Sequence, residues 1–198
     1  NLYEASSTRQ GPNIITNLEA RDGGFDIVGT QTSKTIQKGA SIRDVLKSLI
    51  GDFSNLKEGT IGNYDEQIRR PVTLDGNTFG LLKKYSDNEV FVDLEEVHVL
   101  KTPEVRTGSV PLISSATGLL GTPKRDNALL TVKTLLEPQI LMGQVVELKS
   151  DILPLYDGQY KVVGANHTGI ISEAVGGEAS STFSLLLGAA LFGQYSVL

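Results

Sequence analysis

Two histidines are the residues of this sequence best suited to acid–base or metal chemistry. His98 alternates with Val97 and Val99, a pattern that predicts a strand residue on the polar face. His167 falls at the junction of two predicted strands, where we favour a turn residue that hydrogen-bonds its own backbone over a ligand or proton carrier. Neither histidine stands in a zinc-ligand spacing such as HExxH, and we predict no metal site.

The densest acidic cluster consists of Asp93, Glu95 and Glu96. Carboxylates this close together are able to bind a divalent cation. The three residues also separate two short alternating segments, which is typical of a hairpin. A hairpin turn with solvated charges is therefore the favoured interpretation, and a metal site is the alternative.

Motifs of nucleotide binding and nucleophilic catalysis are missing from the sequence. It contains no GxGxxG, no GxxxxGK[ST] and no GxSxG. The absence of cysteine excludes disulfide frameworks, thiolate zinc sites, iron–sulfur clusters and cysteine nucleophiles. Serine, histidine and aspartate are present, but a catalytic triad is recognised by geometry rather than by sequence position. We therefore predict that the chain is not an enzyme and takes no cofactor.

A basic pair, Lys124 and Arg125, lies in a stretch (121–127) that we interpret as an interaction loop. The connection that contains it, residues 116–128, is longer than the usual hairpin loop. In this interpretation the cations reach acidic groups or sheet-edge carbonyls of a partner. The alternative is a solvated loop whose two leucines belong to a core.

The candidate interface combines that loop with the C-terminal segment. Pro123 restricts the loop, and two leucines before it are able to anchor its base. Residues 189–198 are apolar for a chain end, so we predict that they dock on their own domain or on a partner. The candidate interface residues are Leu119, Leu120, Pro123, Lys124, Arg125, Phe192, Tyr195 and Leu198.

Residues 1–105 are predicted to form an α+β domain with two helices on a small sheet. The clearest helix begins at Ser41, because apolar residues recur with a 3.6-residue period over 42–50 and Gly51 ends the pattern. The predicted elements are strands at 2–7, 14–20 and 25–28, helices from Ser41 to about residue 50 and from Asn77 to Ser86, and strands at 89–93 and 96–100.

Residues 106–198 are predicted to be all-β. Short strand-like segments follow one another at close spacing, separated by turns rich in Gly, Pro and Asp. This pattern indicates a small antiparallel barrel or sandwich. The predicted strands are 110–115, 129–135, 144–149, 160–166, 169–174 and 182–187.

The charge balance limits the classes of partner. The 198 residues include 18 Lys and Arg against 23 Asp and Glu, a net charge of −5, which argues against a nucleic-acid-binding face. No apolar run approaches the ~20 residues of a membrane span, so no membrane insertion is predicted. We recognise no signal peptide at the start, and because residue 1 is Asn rather than Met we expect further sequence upstream.

Several turn and strand-end segments resemble the C-terminal barrel of baseplate or tail hub proteins of tailed bacteriophages, and others resemble the segment that precedes that barrel. The resemblance covers most of the chain, and its motifs are structural rather than catalytic. The segments are 116–123, 135–138, 142–144, 157–162 and 167–169 for the barrel, and 14–24 and 74–78 for the preceding segment.

The resemblance implies a tube-like barrel in a hub subunit of the virion. It also implies a homotrimeric ring at the tail tip that joins the tail tube to a central spike and lets DNA pass, assembled in the host cytoplasm. Family members carry two such barrels per chain, whereas this sequence shows one complete barrel. The opening hairpin would then continue a first barrel upstream.

Two other classes of function remain as alternatives. A tail-associated cell-wall hydrolase would need a pair of carboxylates in a groove or a histidine–metal set. A host-surface binding β-module would display an aromatic patch, whereas this sequence has no Trp and scatters its six Tyr and six Phe.

Overall fold

The computed structural model describes residues 2–20, 22–127, 129–169 and 178–186. The chain divides into two units, Asn1–Lys101 and Thr102–Leu198, and each unit encloses a hydrophobic core of its own. From the sequence we predict the boundary between the two domains to lie between residues 105 and 106. In the described residues, no helix is long and apolar enough to cross a membrane.

The predicted opening hairpin is confirmed, with a tighter turn than expected. Strands β1 (Leu2–Gln10) and β2 (Asn13–Ala20) pair antiparallel and form a two-stranded sheet. The two-residue connection starts at Gly11, whose φ of +62° is the positive value that such a turn requires at its first central position.

The rest of unit 1 packs three helices with two small sheets. Strands β3 and β5 pair antiparallel, whereas β7 lies between β4, which is parallel to it, and β6, which is antiparallel. The elements are α1 (Gly24–Gly29), β3 (Gln31–Ile36), α2 (Ile42–Ile50), β4 (Lys57–Ile61), β5 (Val72–Asn77), α3 (Thr78–Tyr85), β6 (Val90–Asp93) and β7 (Glu96–Val99).

Both predicted helices of unit 1 are confirmed, and local sequence explains where they begin. The Ser41 hydroxyl accepts the backbone N–H of Asp44, whose carboxylate accepts the backbone N–H of Ser41 in return. The Ser41 hydroxyl also donates to this carboxylate at 2.7 Å, and this bond, together with that from the Ser41 N–H, holds the pKa of Asp44 below its ordinary value. The apolar face of α2 enters the core, and Asn77 caps α3 by accepting the N–H of Gly80.

The predicted strand at 25–28 is wrong, because this segment is helix α1. Gly23, with a φ of +62°, turns the chain into the helix. The carboxylate of buried Asp26 accepts the backbone N–H of Asn55 at 2.8 Å and ties the helix to the segment between α2 and β4. Strands β3, β4 and β5 were not predicted, because their polar sequences lack alternation and their pairing partners lie far along the chain.

Unit 2 is a curled six-stranded sheet in the order β8-β11-β12-β13-β10-β9. Its core includes Leu130, Val162 and Phe183, all fully buried. The elements are β8 (Leu112–Ile113), β9 (Leu119–Asp126), β10 (Leu129–Leu135), β11 (Val145–Leu148), β12 (Gly158–Thr168) and β13 (Ser180–Leu186), with short 3₁₀ turns at Ser115–Thr117 and Pro154–Tyr156.

The mixed α+β character is confirmed, but a closed antiparallel barrel is not seen in the described ranges. There β8 and β9 are the two edges of the sheet, and β8 pairs parallel with β11. The strand predicted at 110–115 is reduced to two residues. The strand predicted at 169–174 lies almost entirely outside the described residues.

The loop conformation predicted for residues 121–127 is also wrong, because most of this segment is strand β9. This strand forms a hairpin with β10, in which Asp126 pairs with Leu129 and Lys124 with Thr131. Gly121 and Pro123 suggested a loop, whereas in the fold they occupy an irregularity of the strand. Pairing with a neighbouring strand decided the conformation against the local turn signals.

Candidate assembly interface

In the part of unit 2 that the structure describes, strand β9 forms an edge of the sheet and carries a bulge. Leu120 pairs with Lys133 and Lys124 with Thr131, so three residues of β9 oppose the single residue Val132 of β10. Gly121 lies within this bulge, and its φ of +72° is readily adopted only by glycine. Bulges at sheet edges bend the strand and interrupt regular pairing.

The side chains of β9 divide into an inner anchor and an outer basic pair. Leu119 and Pro123 are buried, and Leu120 is half-buried. Lys124 and Arg125 are exposed, and the Arg125 Nε–H donates to the carbonyl oxygen of Asn127 at 3.1 Å. The strand therefore brings five of the eight candidate interface residues together. The other three, Phe192, Tyr195 and Leu198, lie outside the described residues.

The composition of this edge disfavours pairing with an arbitrary strand. Pro123 has no N–H to offer a neighbouring strand, and the cation of Lys124 beside it disfavours indiscriminate strand addition. Carboxylates on a neighbouring strand or surface would form ion pairs with Lys124 and Arg125, whereas a neighbour without carboxylates would leave both charges unpaired. Chemically, the edge suits recognition of an acidic protein surface.

Sequence reasoning missed an apolar loop, residues 149–157, which connects β11 to β12. Three of its aliphatic side chains reach solvent, with exposed fractions of 68% for Ile152, 37% for Leu153 and 86% for Leu155. The available signal was a run of aliphatic residues around Pro154 inside a connection, where polar residues are usual. Contiguous patches of exposed aliphatic side chains are typical of interaction surfaces.

Unit 2 also has a cleft of about 360 Å³. Ile113 and Ile140 are buried in its lining, and Leu112, which also lines it, is 40% exposed. The remaining lining is mainly polar and includes Gln139 and one carboxylate, Glu137. Among the residues that the structure describes, Glu137 is the single carboxylate of the lining, and these residues do not supply the acid pair of a glycoside hydrolase.

The two histidines occupy structural positions that differ from those predicted. His98 is 1% exposed, and its Nδ1 accepts the backbone N–H of Thr60 at 2.9 Å. Val97 and Val99 are buried as well, so this strand is buried on both faces. The alternation of His98 with two valines therefore did not mark a polar face. His167 belongs to β12 rather than a turn, and its Nδ1 is hydrogen-bonded to the Ser181 hydroxyl at 2.7 Å.

The acidic cluster lies at the hairpin between β6 and β7, as the sequence indicated. Asp93 pairs with Glu96 across the hairpin, and Leu94 and Glu95 form its turn with positive φ values. The backbone N–H of Glu95 donates to the carboxylate of Asp22 at 3.0 Å. Within the described ranges, no group of three or more His, Cys, Asp or Glu side chains is arranged to hold a metal ion.

Comparison with protein families matches residues 2–168 to the family described as baseplate hub gp41. The chain belongs to the baseplate hub gp41 family. The predicted resemblance to phage hub proteins is thereby confirmed. Membership assigns this baseplate hub protein a structural role in a phage tail and a location in the virion.

Solved structures share the fold of this baseplate hub protein. The tail protein from Neisseria meningitidis MC58 matches with a TM-score of 0.63 and 9% identity, over 94% of this chain and 78% of that one. The 43 kDa tail protein of prophage MuSo2 from Shewanella oneidensis matches with a TM-score of 0.62 and 9% identity, over 94% and 77%. No curated protein matches the sequence.

Proposed function

We propose that this hub protein forms a homotrimeric ring at the tail tip that joins the tail tube to the central spike and lets DNA pass, without catalysing a reaction. The observation that carries the proposal is the exposed edge strand β9 with its basic pair. Membership of the baseplate hub family supports it. The partners are then two further copies of the chain and the tube and spike proteins of the same virion, assembled in the host cytoplasm.

The basic pair affects the alignment of neighbouring subunits more than the affinity between them. Lys124 and Arg125 are exposed, and exposed ion pairs contribute only about 0–1 kcal/mol each. Their value in a ring lies in favouring one alignment of neighbouring subunits, because a like charge opposite them is repelled. Closure of the unit 2 sheet into a tube-like barrel, completed by neighbouring subunits of the ring, belongs to the same proposal.

The net charge of −5 supports a passage for DNA. A channel that releases DNA must not hold its phosphates, and strong phosphate binding needs clustered Lys and Arg. The acidic balance of the whole chain favours a wall that repels the duplex.

The test is the position and symmetry of the protein in the tail. We expect light scattering to report a trimer, or particle reconstruction to show threefold symmetry at the tail tip. A stable monomer in solution, combined with a sixfold or peripheral position in the particle, would refute the proposal.

A further inference from the structure

Arg125 presents a cation on the core-facing side of the unit 2 sheet. Its Nε–H donates to the carbonyl oxygen of Asn127 at 3.1 Å, and within the described residues its guanidinium forms no ion pair. Arg125 pairs with Leu130 across β9 and β10, and Leu130 is fully buried in the core. Residues directly opposite each other share a face of the sheet, so Arg125 leaves β9 on the core-facing side and Lys124 leaves it on the other side.

The cleft of unit 2 lies on the same side of the sheet as Arg125. Thr134 lines the cleft and belongs to β10, as does Leu130. The two residues are an even number of positions apart in one strand, so their side chains lie on one face. The carboxylate of Glu137 therefore stands in a cleft that is on the face of the sheet from which Arg125 projects.

The chemistry of the cleft suits an arginine side chain. Its volume is about 360 Å³, and its lining includes the aliphatic side chains of Ile113 and Ile140. The half-buried Glu137 carboxylate accepts the N–H of Gln139 at 3.3 Å, and no cation in the described ranges pairs with it. The methylene stem of an arginine packs on apolar surface, while its guanidinium binds a carboxylate through two parallel hydrogen bonds.

Arg125 does not reach the cleft of its own chain. Leu119, at the start of β9, pairs with Thr134 in the lining of the cleft. Arg125 lies near the other end of β9, about 20 Å further along the strand at 3.3 Å per residue, which exceeds the length of an arginine side chain. A contact between Arg125 and Glu137 therefore needs two copies of the chain.

We infer that Arg125 of one copy inserts into the cleft of the next copy and pairs with its Glu137. Among the described strands, β9 is one edge of the unit 2 sheet, and β8, whose Leu112 and Ile113 line the cleft, is the opposite edge. A contact that joins the β9 side of each copy to the β8 side of the next is head-to-tail, and such contacts generate a ring when the rotation closes. The inference rests on the proposed homotrimeric ring and names a contact within it.

Reciprocal charge reversal tests the pairing in assembled tails. Arg125→Glu and Glu137→Arg should each lower the yield of tails about fivefold or more, because each brings two like charges together. The chain with both changes should recover at least about half of the wild-type yield, since exchanging the charges restores the attraction. Electron microscopy counts the tails, and circular dichroism confirms that each variant is folded. A folded double variant that shows no recovery overturns the inference.

Lys124→Glu with Glu137→Arg is the matched control. It makes the same two charge changes, but the cation comes from the other face of β9. This combination should not restore assembly. Recovery equal to that of the Arg125 and Glu137 exchange would show that the yield follows the total charge of the edge, and would overturn the assigned contact.

Disulfide trapping is a second measurement, because the chain has no cysteine. Gln139, like Glu137, lines the cleft. Mild oxidation of tails that carry Arg125→Cys with Gln139→Cys should give bands up to a trimer on a non-reducing gel. Arg70→Cys with Gln139→Cys is the control, since Arg70 is an exposed arginine of unit 1. Cross-linking no greater than in this control, or cross-linking of position 125 to another tail protein, overturns the inference.

The inference and the proposed function fail in different ways. A threefold ring in which Arg125 lies away from the Glu137 of every neighbour overturns the contact and leaves the proposed ring standing. Cross-linking through positions 125 and 139 in a protein that occupies a sixfold or peripheral position overturns the threefold ring and leaves the contact standing.

Discussion

At the residue scale, the interior of unit 1 depends on a close approach between His98 and Gly59. A Cβ atom added at Gly59 would lie 2.5 Å from Cε1 and 2.6 Å from Nδ1 of the imidazole. The ring is held in place by the N–H of Thr60 and is stacked on Phe91 with a centroid distance of 5.2 Å. The imidazole therefore acts as a packing and hydrogen-bonding group of the core.

We predict that Gly59→Ala destabilises the protein by about 1–3 kcal/mol, because the ring has to give up its hydrogen bond or its stacking to accept the methyl group. Urea denaturation measures the change. Gly29→Ala is the control, since a Cβ there meets nothing within 4 Å. Equal stability of the two variants would contradict the assigned close contact.

At the element scale, the start of helix α2 is sensitive to pH through Asp44. Its pKa is lowered in the folded state by hydrogen bonds from Ser41, so folding favours the carboxylate. A lowered folded-state pKa gives a stabilisation that is present above the unfolded value, about 4 for Asp, and is lost as the pH falls through the folded value. The helix cap is thus strongest at neutral pH.

We predict that Asp44→Asn lowers the denaturation midpoint at pH 7, and that the difference from wild type shrinks as the pH falls below about 4. Denaturant titrations over this range measure the effect. Asp75→Asn, which changes an exposed aspartate of β5 outside any helix cap, should show no comparable loss at pH 7. A difference for Asp44→Asn that stays constant down to pH 2 would exclude the carboxylate as its cause.

The edge strand β9 gives the second prediction at this scale. Lys124→Glu with Arg125→Glu should impair ring or tail assembly, because the reversed charges repel an acidic neighbour. The melting temperature of the isolated chain should remain nearly unchanged, since both side chains are exposed. Tail assembly is followed by electron microscopy, and melting by circular dichroism.

Arg69→Glu with Arg70→Glu is the matched control for this experiment, because it makes the same charge change at an exposed basic pair of unit 1. We expect this control to assemble normally. Normal assembly of the Lys124 and Arg125 variant would show that the basic pair does not contribute to the interface. The two cations would then serve only to protect the edge strand β9 from unwanted pairing.

At the scale of the whole molecule, the acidic chain is expected not to retain DNA. The net charge of −5 leaves no excess of cations to displace the counterions of a duplex. We predict that electrophoretic mobility shift at low ionic strength detects no complex with double-stranded DNA. A complex whose affinity falls steeply with added salt would reveal a basic surface and contradict the proposed passage.

Local sequence determined the elements whose signals are short-range. The 3.6-residue apolar period and the Ser41 cap specify α2 without any tertiary contact, and Gly11 specifies the turn of the first hairpin. The turn and strand-end segments likewise carried the family resemblance, since such segments retain the constraints of a fold. These features were predictable because all their determinants lie within a few residues of one another.

Tertiary structure alone decided the rest, because the determinants are far apart in the chain. The pairing of β3 with β5 joins Gln31 to Asn77 and stabilises polar strands that no alternation marks. The pairing of β9 with β10 turned a predicted loop into an edge and placed Lys124 there. The exposure of Leu155 and the burial of His98 depend on which surfaces neighbouring elements cover, and aliphatic or imidazole character by itself does not encode that.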